Sequence, residues 1–276
     1  MRGRVVQILG VIAIGVWAGP AAAQWLKYPT DGAPRSKDGK VNLSAPAPRA
    51  KDGRPDFSGV WLTGNPIPCD PANGADFLDC GAELPLARDA IDIGVSLPGG
   101  LPYQPWAAEL VRKRTADQAK DDPHVRCLPD TFIRSYGLPH LQKFVHVPGL
   151  LVMLDEMNAS YRQIFTDARP LPADPVPSWN GWSSAAWDGD TLVVRSNGFR
   201  DDLWLDLAGS PLTDAAKTIE RIRRPDYGHL EIALTVDDPK AYTKPWTVTL
   251  TQQIVVDTDL VDEICLENEK SSTHMK

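Results

Sequence analysis

The chain has 276 residues and a formal net charge of −7, from 36 Asp and Glu against 29 Lys and Arg. An acidic chain without a basic stripe excludes the electrostatics of a nucleic-acid binder or of a protein held on anionic lipid. A hydrophobic or aromatic small molecule is the expected partner.

The chain begins with a basic start (Arg2, Arg4), an apolar run from Val5 to Ala18, and Ala21-Ala22-Ala23 before Gln24. This is the pattern of a secretory signal peptide over residues 1–23. The apolar run is short of the ~20 residues that span a bilayer, and no later stretch is long or apolar enough to do so. The expected location is therefore periplasmic or secreted, with no stable membrane insertion. In an oxidising compartment Cys69, Cys80, Cys127 and Cys265 imply two disulfides. Three pairings are open, and Cys69–Cys80 with Cys127–Cys265 is favoured. Zinc sites want closer spacing, so neither metal nor cofactor is expected.

Residues 24–54 are rich in Pro, Gly, Lys and Asp and read as an extended arm or linker. A single domain is expected over 55–276. It opens with a strand at Phe57–Leu62, followed from Asn65 to Gly100 by a stretch too long for an ordinary connection, read as a disulfide-held cap. Pro105–Ala119 is the one convincing helix, with proline near its start and mixed charges for a surface position. Residues 121–148 are irregular up to a strand at Phe144–Val147.

Strands are then expected at Leu150–Glu156, Tyr161–Thr166, Ser183–Trp187, Asp190–Ser196, Lys217–Arg223, His229–Val236, Thr247–Val256 and Val261–Glu267. Asp188-Gly189 supplies a two-residue type I′ hairpin turn between Trp187 and Asp190. About ten strands with turn-rich breaks and short connections predict an all-β, antiparallel, up-and-down barrel.

Phe57, Gly59 and Trp61 form an F-x-G-x-W pattern that resembles the G-x-W signature of lipocalin-like barrels. In such a pattern the Trp plugs one barrel end and the Gly admits a neighbouring chain. From about Pro55 to Asn268 the chain also resembles a large family of exported bacterial proteins. The matching motifs are PDFSGVW, Tyr161-Arg162 with Ile164–Asp167 and Arg169, Trp187 with Gly189–Val194, Glu220-Arg221 with Arg224, Asp238-Pro239 with Pro245-Trp246, and Cys265 with Glu267-Asn268. The resemblance implies a lipocalin-like (calycin-type) barrel and no settled activity. Where that family has Gly-His-Ser before the hairpin, this chain has Gly181-Trp182-Ser183.

Alternation on a strand sorts side chains by face. Thr218, Glu220, Ile222 and Arg224 share one face, opposite Arg221. The catalytic candidates are Glu156, Tyr161, Arg162, Glu220 and His229, with Trp61, Trp182, Trp187, Phe165 and Glu231 as substrate contacts. A carboxylate or His would remove a proton while Tyr or Arg stabilises the oxyanion. A structural alternative makes Glu156 and Arg162 a cross-strand ion pair. There is no H-E-x-x-H, G-x-S-x-G, phosphate loop or dinucleotide fingerprint. The expectation is a cofactor-independent lyase or isomerase acting in the barrel lumen, with a non-catalytic periplasmic carrier of an apolar ligand as the alternative.

Overall fold

The computed structural model describes residues 29–65 and 86–265. The signal peptide, Cys69, Cys80, most of the expected cap and Glu267 lie outside the described residues. The barrel strands are β1 (Gly59–Thr63), β2 (Gln142–Val147), β3 (Leu150–Asp155), β4 (Tyr161–Phe165), β5 (Trp182–Asp188), β6 (Thr191–Asn197), β9 (Lys217–Arg223), β10 (His229–Asp237) and β11 (Trp246–Val255). A two-stranded ribbon, β7 (Leu203–Trp204) and β8 (Pro211–Leu212), stands apart from them. The nine strands close a barrel in the order β1-β11-β10-β9-β6-β5-β4-β3-β2.

Alternation explains why these segments are strands. In β9 Thr218, Glu220 and Ile222 are buried between exposed Lys217, Arg221 and Arg223. On the facing strand Leu230, Ile232, Leu234 and Val236 are buried in the same rhythm. A one-residue slip would turn both sets outward, so burial itself fixes the register.

The β5–β6 hairpin differs from expectation by one residue. Asp188 pairs with Thr191, which leaves Gly189-Asp190 as the turn. Of the two, only Gly189 has a positive φ, +60°. That is the type II′ arrangement, which puts glycine first, rather than type I′. The expected last strand at Val261–Glu267 is also absent through Cys265: Glu263 makes a single bridge to Met157, and β11 closes the barrel by pairing with β1. The Cys127–Cys265 disulfide is present and fastens this tail to the 3₁₀ turn at His124–Arg126.

The connectivity is not a pure meander. Every barrel pairing is antiparallel except β4–β5, which is parallel and joins only Ile164 to Ser183 and Phe165 to Ser184. Residues 166–181 run back along the outside of the barrel before β5 begins, and that return makes the strands parallel.

Helix α2 (Pro105–Ala116) is a surface helix with only Ala107 buried. Two single-turn helices join it, α1 (Arg88–Ile91) and α3 (Phe132–Ser135). Helix α3 closes one mouth of the barrel: its N-cap Thr131 accepts the Arg134 amide at 3.2 Å, and Phe132 and Tyr136 are buried. Gln252 of β11 donates to the Tyr136 carbonyl at 2.7 Å.

Trp61 closes the other mouth. Its indole N–H donates to the Phe57 carbonyl at 3.1 Å, and the Arg224 guanidinium lies 4.8 Å from its ring centre. Arg224 also donates to the carbonyls of Asp56 and Tyr227, each at 2.6 Å. Glycine suits position 59 because its φ of +149° is one that residues with a side chain rarely adopt, and a Cβ would also stand 3.1 Å from Ile254 Cδ1. Residues 29–54 contain no helix or strand but are fastened to this end. The Tyr227 and Gly228 amides donate to Ala45 and Leu43 at 2.7 and 2.8 Å, and Arg49 pairs with Asp190 at 2.7 Å.

At the same mouth the Asp56 carboxyl is lowered from 3.8 to about 2, first by hydrogen bonding with His146 and further by the Ser58 amide, against burial. A depressed folded-state value means stabilisation that is complete above 3.8 and lost as pH falls toward about 2. Urea midpoints of the wild-type protein should therefore fall across that window, and those of Asp56→Asn should fall less steeply. Parallel curves would show that Asp56 is not coupled to folding.

Candidate functional site

Two charged residues meet inside the barrel. On β4, exposed Tyr161 alternates with buried Arg162 and Ile164, so Arg162 points inward toward Glu220 of β9. Both are almost wholly buried. Arg162 Nη1 donates to Glu220 Oε1 at 3.2 Å, and Nη2 makes a short contact with Oε2. Its Nε donates to Ser183 Oγ and its Nη2 to Ser196 Oγ, each at 3.1 Å, while the two serines share a hydrogen bond of 2.9 Å. The Phe132 ring lies 3.4 Å from the guanidinium carbon. Tyr136 donates its O–H to Glu220 Oε1 at 2.8 Å. Burial, with Glu220 beside it, holds the Tyr136 hydroxyl well above its ordinary 10, so it stays a donor.

The other candidates stand elsewhere. Glu156 does not pair with Arg162; its two oxygens accept the Leu141 amide at 3.0 Å and the Val261 amide at 2.9 Å. It lies just past the end of β3, where it ties the start of β2 to the C-terminal tail. Tyr161 is 62% exposed on the outer face. His229 is outside as well, bonded to Asp226 at 2.7 Å, and Glu231 faces Arg223 at 3.7 Å. Trp61 is the barrel plug, and Trp187 stacks on Phe57 with ring centres 5.6 Å apart. The structure thus brings Arg162 and Glu220 together inside the barrel, sets Tyr161 on its outer face and places Glu156 and His229 elsewhere.

The lumen is packed rather than hollow. Leu192, Val194, Leu230, Ile232 and Leu234 fill it beside the ion pair. A cleft of about 510 Å³ lies instead in the barrel wall, at the β4–β5 seam. The two strands stop pairing below Ile164 and Ser183 and part toward Arg162 and Gly181. Asn180 spans the gap: its Nδ2 donates to the Tyr161 carbonyl at 3.1 Å, and its Oδ1 accepts the Phe132 amide at 2.8 Å.

Tyr161, Phe165, Trp179 and Trp182 line the cleft, with Arg162 and Ser183 at its floor. Trp182 is held from behind, its indole N–H donating to the Val176 carbonyl at 2.9 Å. Phe165 is covered by Arg169, whose guanidinium carbon is 3.8 Å from the ring centre. Gly181 has φ +62°, and a Cβ there would stand 2.6 Å from the Asn197 carbonyl oxygen. Only glycine lets the chain turn into β5 at this point.

Among the described residues, no three His, Cys, Asp or Glu side chains stand together as metal ligands. Sequence reasoning missed Phe132, Tyr136, Ser183, Ser196, Trp179 and Asn180 as parts of this region. Face alternation carried a signal for Ser196, on the strand beside that of Glu220, and for Ser183, its partner one strand further on; nothing comparable marked Phe132 or Tyr136. Comparison with family models, curated proteins and solved structures returns no match.

The saturation of the ion pair sets its energetic role. Removing one partner of a buried pair leaves an uncompensated charge and costs roughly 3–5 kcal/mol, whereas replacing both by apolar groups is often neutral. Urea unfolding should show a loss of that order for Glu220→Leu and recovery of most of it in the Arg162→Met/Glu220→Leu double variant. A single-variant loss below about 1 kcal/mol, the range of an exposed pair, would remove the pair from its structural role.

Proposed function

We propose that the protein is a non-catalytic carrier of a flat, apolar or aromatic small molecule, bound in the β4–β5 cleft. The observation that carries this reading is a 510 Å³ hollow lined by Tyr161, Phe165, Trp179 and Trp182, beside a lumen filled by its own side chains. That size and lining suit a small-molecule site, and aromatic walls favour stacking on a planar ligand. Proton transfer by Glu220 has less support. Both of its oxygens are bound by Arg162 and one also receives Tyr136, so the carboxylate is buried and engaged where a general base must reach a substrate proton.

Export belongs to the same proposal. It is supported by the amino-terminal signal pattern and by the Cys127–Cys265 disulfide, which persists in oxidising compartments. The periplasm or the cell exterior is the proposed place of work, a reading also supported by the chain's resemblance to a family of exported bacterial proteins.

The neutral fluorescent probe N-phenyl-1-naphthylamine tests the cleft. It should bind saturably, and Trp182→Ala and Trp179→Ala should each weaken it about tenfold or more, the loss typical of an aromatic anchor. Trp187→Ala, which alters the far mouth, should leave its affinity unchanged. No saturable binding by the wild-type protein, or equal affinity in the cleft variants, contradicts the reading.

A further inference from the structure

We propose that the carried ligand is a hydroxylated aromatic molecule whose O–H group enters a one-atom recess at the inner end of the cleft and donates to Gln142 Oε1. This rests on the cleft as the binding site and specifies its ligand class. The recess measures about 10 Å³ and shares Ser160, Tyr161, Arg162 and Asn180 with the cleft. A space of that size holds about one water-sized group. A hydroxyl fits, and a carboxylate or phosphate does not.

The chemistry of the recess selects a donor. Gln142 is 2% exposed and its Nε2 donates to Asp155 Oδ2 at 3.1 Å. Its Oε1 is buried and has no hydrogen-bond partner among the described residues. The amide orientation follows from Asp155, because the reversed amide would set its oxygen against the carboxylate. Arg162 offers no free donor to an anion, since four of its five N–H groups are given to Glu220, Ser183 and Ser196 and the fifth, on Nη1, to Met153 Sδ at 3.8 Å. Asp155 would repel one. Burial also holds the Asp155 carboxyl above its ordinary range, and a hydrogen bond to the buried Gln142 amide is worth more than one made in water.

Three naphthalenes of one shape separate the alternatives by titration calorimetry: 2-naphthol, 2-methoxynaphthalene and 2-naphthoate. The wild-type protein should bind 2-naphthol about tenfold more tightly than the methyl ether, the worth of one buried hydrogen bond, and 2-naphthoate most weakly. Gln142→Met keeps the side-chain length and removes the acceptor, so it should bring naphthol and ether to equal affinity. Equal binding of naphthol and ether by the wild-type protein overturns the recess and leaves the cleft standing, a comparison that needs no variant to fold. A preference for naphthol that survives in folded Gln142→Met also overturns it. If none of the three binds, the cleft itself fails.

Discussion

An arginine and a glutamate buried inside a barrel decide what the rest of the molecule can do. The pair costs desolvation that only close geometry and full hydrogen bonding offset. Ser183, Ser196 and Tyr136 supply that bonding, and Phe132 supplies a ring for the guanidinium. The contributors come from β4, β5, β6, β9 and the segment around α3. Once satisfied, the cluster joins these elements across the barrel axis, and with the apolar residues below it leaves no lumen for a ligand.

The place for a ligand is created by a topological irregularity. Eight of the nine barrel pairings are antiparallel, and the ninth, β4–β5, is parallel and two residue pairs long. A seam that short cannot hold its strands together along their length, and they part over the ion pair. The returning segment 166–181 then lays Trp179 beside the opening and leads into Trp182 through Gly181. Packing inside and openness outside are consequences of the same chain path.

Much of the barrel was legible in local pattern. The faces of β9 and β10 followed from alternation, the helix at Pro105 from its proline and charge mix, and Trp61 as a plug from the F-x-G-x-W spacing. Cys127–Cys265 belonged to the favoured one of the three pairings open to four cysteines, and the structure contains that bond. The partner of Glu220 was not legible, because Arg162 lies 58 residues away and only tertiary closure brings them together. Glu156 is closer to Arg162 in sequence, yet it answers backbone amides beyond the end of β3. Nor was the parallel seam visible: the polar, proline-rich segment 166–181 was counted among the turn-rich breaks of an up-and-down barrel. Helix α3 is a single turn, too short for periodicity to register, so the mouth carrying Tyr136 read as irregular chain.

The central claim is that ligand binds at the wall seam while the lumen stays closed, and the tryptophan indoles report directly on both places. Heteronuclear NMR of the indole N–H groups, assigned through single Trp→Phe variants, can follow them as 2-naphthol is added. The account predicts saturable shifts for Trp179 and Trp182, which line the cleft, with Trp61 and Trp246, buried at the two ends of the barrel, unmoved. Saturable shifts at Trp61 and Trp246 without a response from Trp179 and Trp182 would place the ligand in the lumen and contradict it.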